Sequence, residues 1–184
     1  MANNSIRDFK NAFNGGTRAN RFQVSGLWPV GVVKPTVDDL TVKIFASSLP
    51  RVEVGTIAIP YRGRAYYLPG DRQYSVWSVD VFDDSGDNSI WRAFNTWKNQ
   101  LDSHVTHEVY QNNFSYDKLQ RNWIIRQLDL NGNQLRKIDL YNCWPSEVGA
   151  LTFDMGSTEP AVFRVTMMFD YIKIDQINST ITNA

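Results

Sequence analysis

The sequence predicts a mainly β domain: an antiparallel β-sandwich or small barrel with one flanking α-helix and a protruding β-hairpin. Three observations carry this prediction. Apolar and polar residues alternate in several separate runs, one stretch has the longer period of an amphipathic helix, and an Asn-Gly dipeptide joins two of the alternating runs. A chain of 184 residues is long enough for one domain with its own core and too short for two ordinary ones.

The domain is expected to span residues 18–174, between an N-terminal arm of residues 1–17 and a polar C-terminal tail of residues 175–184. The apolar residues of the arm recur three and four apart, which allows a short amphipathic helix. They are Ile6, Phe9, Ala12 and Phe13.

The first strands are predicted over residues 21–25 and 40–47, where polar and apolar residues alternate. An insertion punctuated by Pro and Gly separates them. A clearer strand follows over residues 73–82. There Trp77, Val79 and Val81 are expected on one face and the polar residues between them on the other.

Residues 51–69 predict a hairpin that projects from the domain. Pro60 is expected to break its ladder, and a proline inside a strand indicates an edge or a protruding ribbon. Arg62-Gly63-Arg64 is predicted to form the turn, and Pro69-Gly70-Asp71 is predicted to be a second turn by composition.

The helix is predicted to begin near Ile90, because the apolar residues Ile90, Phe94, Trp97 and Leu101 recur at spacings of four, three and four. A polar, irregular loop over residues 103–118 is expected to follow.

The second hairpin is predicted from residues 122–130 and 134–142, which flank Asn131-Gly132, a strong signal for a two-residue turn. Cys143-Trp144-Pro145 is expected to close this hairpin. A short strand over residues 150–155 and a long last strand over residues 161–174 complete the chain.

Composition excludes several classes of protein. The 19 basic and 19 acidic side chains cancel, whereas a dedicated DNA-binding protein is usually clearly basic. A single cysteine, Cys143, excludes an internal disulfide framework. No apolar run approaches the length of a transmembrane helix, and the first residues lack the apolar stretch of a signal peptide. The charge is uneven, however, since residues 1–72 carry ten basic and five acidic side chains and residues 73–184 carry nine and fourteen.

No constellation of residues predicts an enzyme, a cofactor or a metal site. Cys143 is interpreted as a small buried hydrophobe, because no base accompanies it. His104 and His107 have a chelating spacing but lack a convincing third ligand. The acidic stretch over residues 83–87 lacks the spacing of a calcium loop.

Three blocks of residues resemble a known family. They are Arg-Phe-Gln-Val at residues 21–24, the run from Ile59-Pro60-Tyr61-Arg62-Gly63-Arg64 through residues 68–79, and Cys143-Trp144-Pro145-Ser146-Glu147-Val148-Gly149 with the closing strand at residues 163–171. In their order and spacing, the sequence resembles the tail tube proteins of contractile-tailed bacteriophages of the T4 type.

The resemblance implies the phage tail-tube fold and a structural protein of the virion tail. Six copies would form a ring, rings would stack into the inner tube, and DNA would pass through the lumen without specific binding. The implied partners are other copies of the chain, tail sheath subunits, the baseplate tube initiator, the tape measure protein and the tail terminator, with no membrane and no cofactor. The opposite charges of the two halves would suit rings that stack head to tail.

Two sets of residues are assigned on this basis. The first would form an inter-subunit hairpin and comprises Ile57, Ile59, Pro60, Tyr61, Arg62, Gly63 and Arg64. The second is structural, belongs to the resembling motifs and comprises Gly70, Asp71, Arg72, Trp77, Trp144, Pro145, Gly149, Asp170 and Tyr171. A baseplate or secretion-system tube ring of the same fold, and a stand-alone β-sandwich that binds a ligand such as a saccharide, remain as alternatives.

Overall fold

The computed structural model describes residues 5–13, 16–32, 41, 43–84, 90–103 and 118–176. Two helices and nine strands lie entirely within these segments. In chain order they are α1 (Ile6–Phe13), β1 (Phe22–Gly26), β2 (Ile44–Ser47), β3 (Val52–Tyr61), β4 (Arg64–Tyr74), β5 (Trp77–Phe82), α2 (Ile90–Leu101), β6 (Arg121–Leu128), β7 (Gln134–Val148), β8 (Val162–Met168) and β9 (Tyr171–Gln176). The mainly β prediction with one flanking helix, α2, is confirmed.

The main sheet has seven antiparallel strands in the order β1-β6-β7-β8-β5-β2, and β9 also pairs with β7. The 15-residue β7 is shared by two halves of the sheet, because its first part pairs with β6 and β9 and its last part pairs with β8. No ladder joins β1 to β2, so the sheet stays open. Of the two predicted forms, the sandwich is confirmed and the closed small barrel is not, because the two end strands of the described sheet do not pair with each other.

The two halves of the sheet face each other across one core. Trp77 of β5 and Trp123 of β6 lie in different halves, yet their ring centroids are 5.7 Å apart. Helix α2 closes the core with Phe94 and Trp97, and both of these side chains are completely buried. Trp28, from the loop after β1, contacts Phe94 at 4.8 Å. These aromatic rings supply a large buried apolar area, which is the main stabilising term for such a domain.

The spacing of apolar residues correctly predicted which faces are buried. Trp77, Val79 and Val81 are at most 1% exposed, and the residues between them are half-buried. In α2 the side chains of Ile90, Phe94 and Trp97 are buried, as the helical spacing requires.

The predicted long strands are interrupted where the chain changes direction. Residues 73–82 are divided between β4 and β5, and residues 161–174 are divided between β8 and β9 at Phe169-Asp170. After the first break the chain pairs with β2 and β8 instead of β3. After the second break it moves from the last part of β7 to the first part of the same strand. Alternation continues across the β8–β9 break and gave no sign of it, whereas at the β4–β5 break the apolar positions shift by one residue between Val76 and Trp77.

The β6–β7 connection is wider than the predicted two-residue turn. The Asp129 carboxylate accepts hydrogen bonds from the backbone N–H groups of Asn131 and Asn133 at 2.8 and 2.7 Å. Gly132 has φ = 86°, but Asn131 is not in the left-handed region. The predicted two-residue turn needs positive φ at both central positions, and Asn131 does not meet this condition. A longer loop forms instead, and the Asp129 carboxylate stabilises it.

Two further predictions are wrong. Cys143-Trp144-Pro145 does not close the β6–β7 hairpin, because β7 continues through these residues and pairs with β8. Residues 150–155 form no strand, since their backbone joins no ladder in the structure.

Helix α1 lies within the predicted arm and contains its apolar residues, and β9 extends to Gln176. The division into arm, domain and tail stays a prediction. The predicted loop at residues 103–118 and the polar stretch at residues 83–87 fall mostly outside the described residues, as do His104 and His107.

Candidate assembly surface

The two-stranded sheet β3–β4, here called the ribbon, continues the edge of the main sheet. Beyond the β2–β5 ladder, the N–H of Ser75 donates to the Arg51 carbonyl at 2.9 Å, and the ladder then resumes at Val52 opposite Tyr74. The ribbon extends for about ten residue pairs, or about 30 Å at the usual rise of a strand. It pairs with no other strand in the described part of the chain.

A tight turn of two residues, Arg62-Gly63, forms the tip of the ribbon. Both residues have positive φ, at 47° and 80°, and Tyr61 pairs with Arg64 across the turn. This geometry matches the right-handed twist of the flanking strands. Pro60 was expected to break the ladder, and it does not. It stays in register opposite Ala65, because a ribbon with two free edges leaves room for a residue without an N–H.

The ribbon exposes apolar side chains on both faces. From the register, Ile57, Ile59 and Tyr61 lie on one face opposite Leu68, Tyr66 and Arg64, while Ala58 and Pro60 lie on the other face opposite Tyr67 and Ala65. The large exposed side chains, between 39% and 65% accessible, are Val52, Val54, Ile57, Ile59, Tyr61, Tyr66 and Tyr67. An isolated two-stranded ribbon is at best marginally stable in water, and such a patch indicates an interface.

Gly70 and Asp71 lie within β4, not in the predicted second turn. They form a β-bulge opposite Gly55, where the register skips from Val54–Arg72 to Thr56–Pro69. A Cβ atom on Gly70 would lie 3.2 Å from the Gly55 carbonyl carbon. The bulge therefore leaves little room for a side chain at either glycine, since the two backbones approach closely there.

The base of the ribbon is anchored in the core. Trp77 is fully buried at the start of β5, and its indole N–H donates to the Ser47 hydroxyl of β2 at 3.0 Å. Tyr74, the last residue of β4, contacts Phe169 with a centroid distance of 5.7 Å. The ribbon is thus attached to the core at one end, and among the described residues no other strand pairs with it along its length.

The late motif lies where β7 pairs with β8. Trp144 is opposite Met168, and Pro145 is buried opposite Met167. Gly149 donates its N–H to the Arg164 carbonyl at 2.7 Å, and a Cβ there would lie 2.8 Å from the same oxygen. Glycine is therefore required on steric grounds.

Asp170 and Tyr171 follow at the turn between β8 and β9. The Asp170 carboxylate accepts from the side-chain amide of Asn142 at 2.7 Å. The Tyr171 ring stacks on Tyr141 at 4.5 Å, and the Lys173 ammonium lies 5.2 Å from the Tyr141 centroid.

The structure brings the seven assigned hairpin residues together at the outer half of the ribbon. The assigned structural residues fall into separate groups, in the ribbon bulge, the core and the β7–β8 region. Their structural role stays a prediction.

Sequence reasoning missed a polar patch on the outward face of β5 and β8. Asp80 and Arg164 lie opposite each other there, and the guanidinium donates to both carboxylate oxygens at 2.6 and 2.9 Å. The hydrogen bonds to Asp80, and then its charge, raise the pKa of Arg164. Alternation within each strand places Asp80 and Arg164 on the outward faces of β5 and β8. The sequence does not show that these two strands pair and bring the two side chains together.

The described residues contain no group of three or more His, Cys, Asp and Glu side chains placed to hold a metal ion. Cys143 is fully buried in β7, and burial raises the pKa of its thiol to about 12. No helix in the described ranges is both long and apolar enough to cross a membrane.

The model of the family described as T4-like virus tail tube protein gp19 matches residues 48–173. The tail tube protein of Serratia phage KSP90 is 22% identical over 84% of this chain and 88% of its own length. The tail tube protein gp19 of Enterobacteria phage T4 is 26% identical over 90% of this chain and 98% of its own length. Among solved structures, a chain of the sheath–tube complex of an extracellular contractile injection system superposes with a TM-score of 0.64 at 18% identity, covering 92% of this chain and 97% of that one.

The family match runs through the ribbon, the core and the late motif, and therefore covers the surface and the residues that position it. The chain belongs to the T4-like virus tail tube protein family, and is thus a structural component of a contractile phage tail.

Proposed function

We propose that this chain is the repeating subunit of the tail tube: six copies form a ring, rings stack into the inner tube, and the ribbon carries the contact with a neighbouring copy. The observation that carries the proposal is the exposure of the ribbon on both faces and both edges. A neighbouring copy would bury its apolar side chains and pair its free backbone groups, which removes the liability of an exposed edge.

The charge distribution supports contact between copies. The ribbon tip carries Arg62 and Arg64, and residues 73–184 carry five more acidic than basic side chains. A head-to-tail contact between unlike surfaces repeats without closing, which is the geometry that produces a filament.

We also propose that the tube contacts the tail sheath, a baseplate initiator, a tape measure protein and a terminator. The solved relatives include chains from a sheath–tube complex, a baseplate and a tube-terminating cap. These likenesses show a shared fold. The contacts of this chain with a sheath, a baseplate and a terminator are proposed by analogy with those assemblies.

The test is negative-stain electron microscopy of the purified chain over a concentration series, with and without purified baseplates. Stacked rings with six subunits per turn are the expected result. A chain that forms neither rings nor tubes on a baseplate would contradict the proposal. Rings that form but never extend would favour a baseplate or secretion-system ring instead.

The role of the ribbon is tested with Ile59→Asp/Tyr66→Asp, which places two charges opposite each other on its apolar face. Tubes should be lost while the urea unfolding midpoint of the free chain is retained, because these side chains contribute little to the core. Leu130→Asp, at a similarly exposed apolar residue in the β6–β7 loop, is the matched control and should assemble. Normal tubes formed by the double variant would show that the ribbon does not carry the contact between copies.

A further inference from the structure

The main sheet has two outward faces of different chemistry, and only one of them suits the wall of a channel for DNA. The first belongs to β5 and β8, where Ser78 lies opposite Thr166 and Asp80 lies opposite Arg164. We call these four residues the β5–β8 face. Their neighbours Trp77, Val79 and Val165 point into the core.

Arg164 is the one basic side chain in β2, β5, β8 and the last five residues of β7. It is two-thirds exposed, but its guanidinium is occupied by both oxygens of Asp80. Lys43, just before β2, is likewise in an ion pair with Asp84. A bidentate carboxylate occupies the same fork of donors that an arginine offers to a phosphate.

The second face belongs to β6, β7 and β9 and carries Arg126, Lys173, Asp175 and the ion pair between Lys137 and Asp139. It also contains an apolar groove of about 440 Å³ that Ile124 and Tyr141 line. Arg126 and Lys173, repeated in every subunit, would attract the phosphates of DNA. An exposed apolar groove with a tyrosine is typical of a surface that contacts protein.

We infer that the β5–β8 face lines the channel of the tube and that Asp80 keeps Arg164 from binding the phosphates of passing DNA. The inference rests on the proposed tube. An unpaired arginine repeated in every subunit would bind phosphates along the DNA, because each contact releases counterions. The tube must instead let the DNA slide through. The ion pair with Asp80 prevents Arg164 from binding phosphate, while the Arg164 side chain still links β8 to β5.

The position of the face is tested with Ser78→Cys, because the native Cys143 is buried and does not compete for thiol reagents. In assembled tubes a small maleimide should react. Biotin attached at Ser78→Cys should nevertheless stay out of reach of streptavidin until the tubes are dissociated. Streptavidin decoration along intact tubes, or failure of the small reagent to react, would overturn the assignment.

The role of Asp80 is tested with Asp80→Asn. Tubes assembled with a short fluorescent DNA duplex should retain at least about tenfold more DNA than wild type at low salt, and lose it as salt rises. Asp80→Asn/Arg164→Gln is the matched control and should return to the wild-type value. Equal retention by Asp80→Asn and wild type would overturn the inference.

Ser78→Lys is a second variant that leaves the Asp80–Arg164 pair intact and adds an unpaired cation to the same face. It should also retain DNA, so the test does not depend on whether Asp80→Asn assembles. Failure of the wild-type chain to form tubes would contradict the proposed function itself. Once wild-type tubes exist, the labelling and DNA results bear on the channel face alone.

Discussion

The side-chain amide of Asn142 donates to the Asp170 carboxylate at 2.7 Å, and the N–H of Asp170 donates to the Tyr141 carbonyl at 3.0 Å. These bonds join the two places where strands change partners. Asn142 lies just before β7 leaves β6 and β9 for β8, and Asp170 lies between β8 and β9. The two bends are therefore held to each other, and both halves of the sheet depend on this contact.

Asn142 has φ = 57°, so its substitutions separate backbone strain from hydrogen bonding. Asn142→Gly should lower the free energy of unfolding by about 1 kcal/mol, through the lost hydrogen bond. Asn142→Ala should lower it by about 1 kcal/mol more, because alanine disfavours the left-handed region. Urea denaturation measures both, and equal losses would contradict the role of the backbone conformation.

Gly149→Ala should destabilise the chain by about 1–3 kcal/mol, since its Cβ would lie 2.8 Å from the backbone oxygen of Arg164, which belongs to a paired strand. Gly156→Ala is the control, because its Cβ would meet only a side-chain oxygen at 3.4 Å. Thermal unfolding should separate the two variants, and similar midpoints would show that β7 and β8 move apart easily.

Gly63→Ala should impair tube assembly without changing the unfolding of the free chain. Its φ of 80° strains any other residue, but a Cβ there would meet nothing within 4 Å, and the ribbon lies outside the core. Arg62→Asn is the counterpart, since asparagine favours this turn and should preserve assembly. Sedimentation of tubes measures the first effect, and a large loss of thermal stability in Gly63→Ala would place the tip within the folding unit.

Cys143 should make stability depend on alkaline pH. Burial raises the pKa of its thiol from 9.0 to about 12, so the folded chain keeps a proton that the unfolded chain releases. The contribution is fully present below about pH 9 and is lost as pH rises towards 12, by at most about 1.4 kcal/mol per pH unit. Cys143→Ala should lack this component, and identical slopes for both proteins between pH 9 and 11 would contradict it.

Local patterns in the sequence were sufficient for the buried face of β5, the buried stripe of α2 and the apolar residues of α1, because each depends on the period of its own element. The ribbon was also predictable, since residues 51–69 carry its strand formers and its Gly63 turn. The resemblance of three separated blocks pointed to the family that the comparison then showed.

Tertiary structure decided which strands pair. The bulge at Gly55 and Gly70, the change of partner at Asn142 and the Asp80–Arg164 pair all join residues that are far apart in the chain. Alternation shows which side chains share a face of one strand, but it contains no register between strands. For this reason the sequence by itself determined the class, the family, the buried faces and the projecting ribbon. The open sheet, the bulge in the ribbon and the chemistry of the β5–β8 face came only from packing between distant segments.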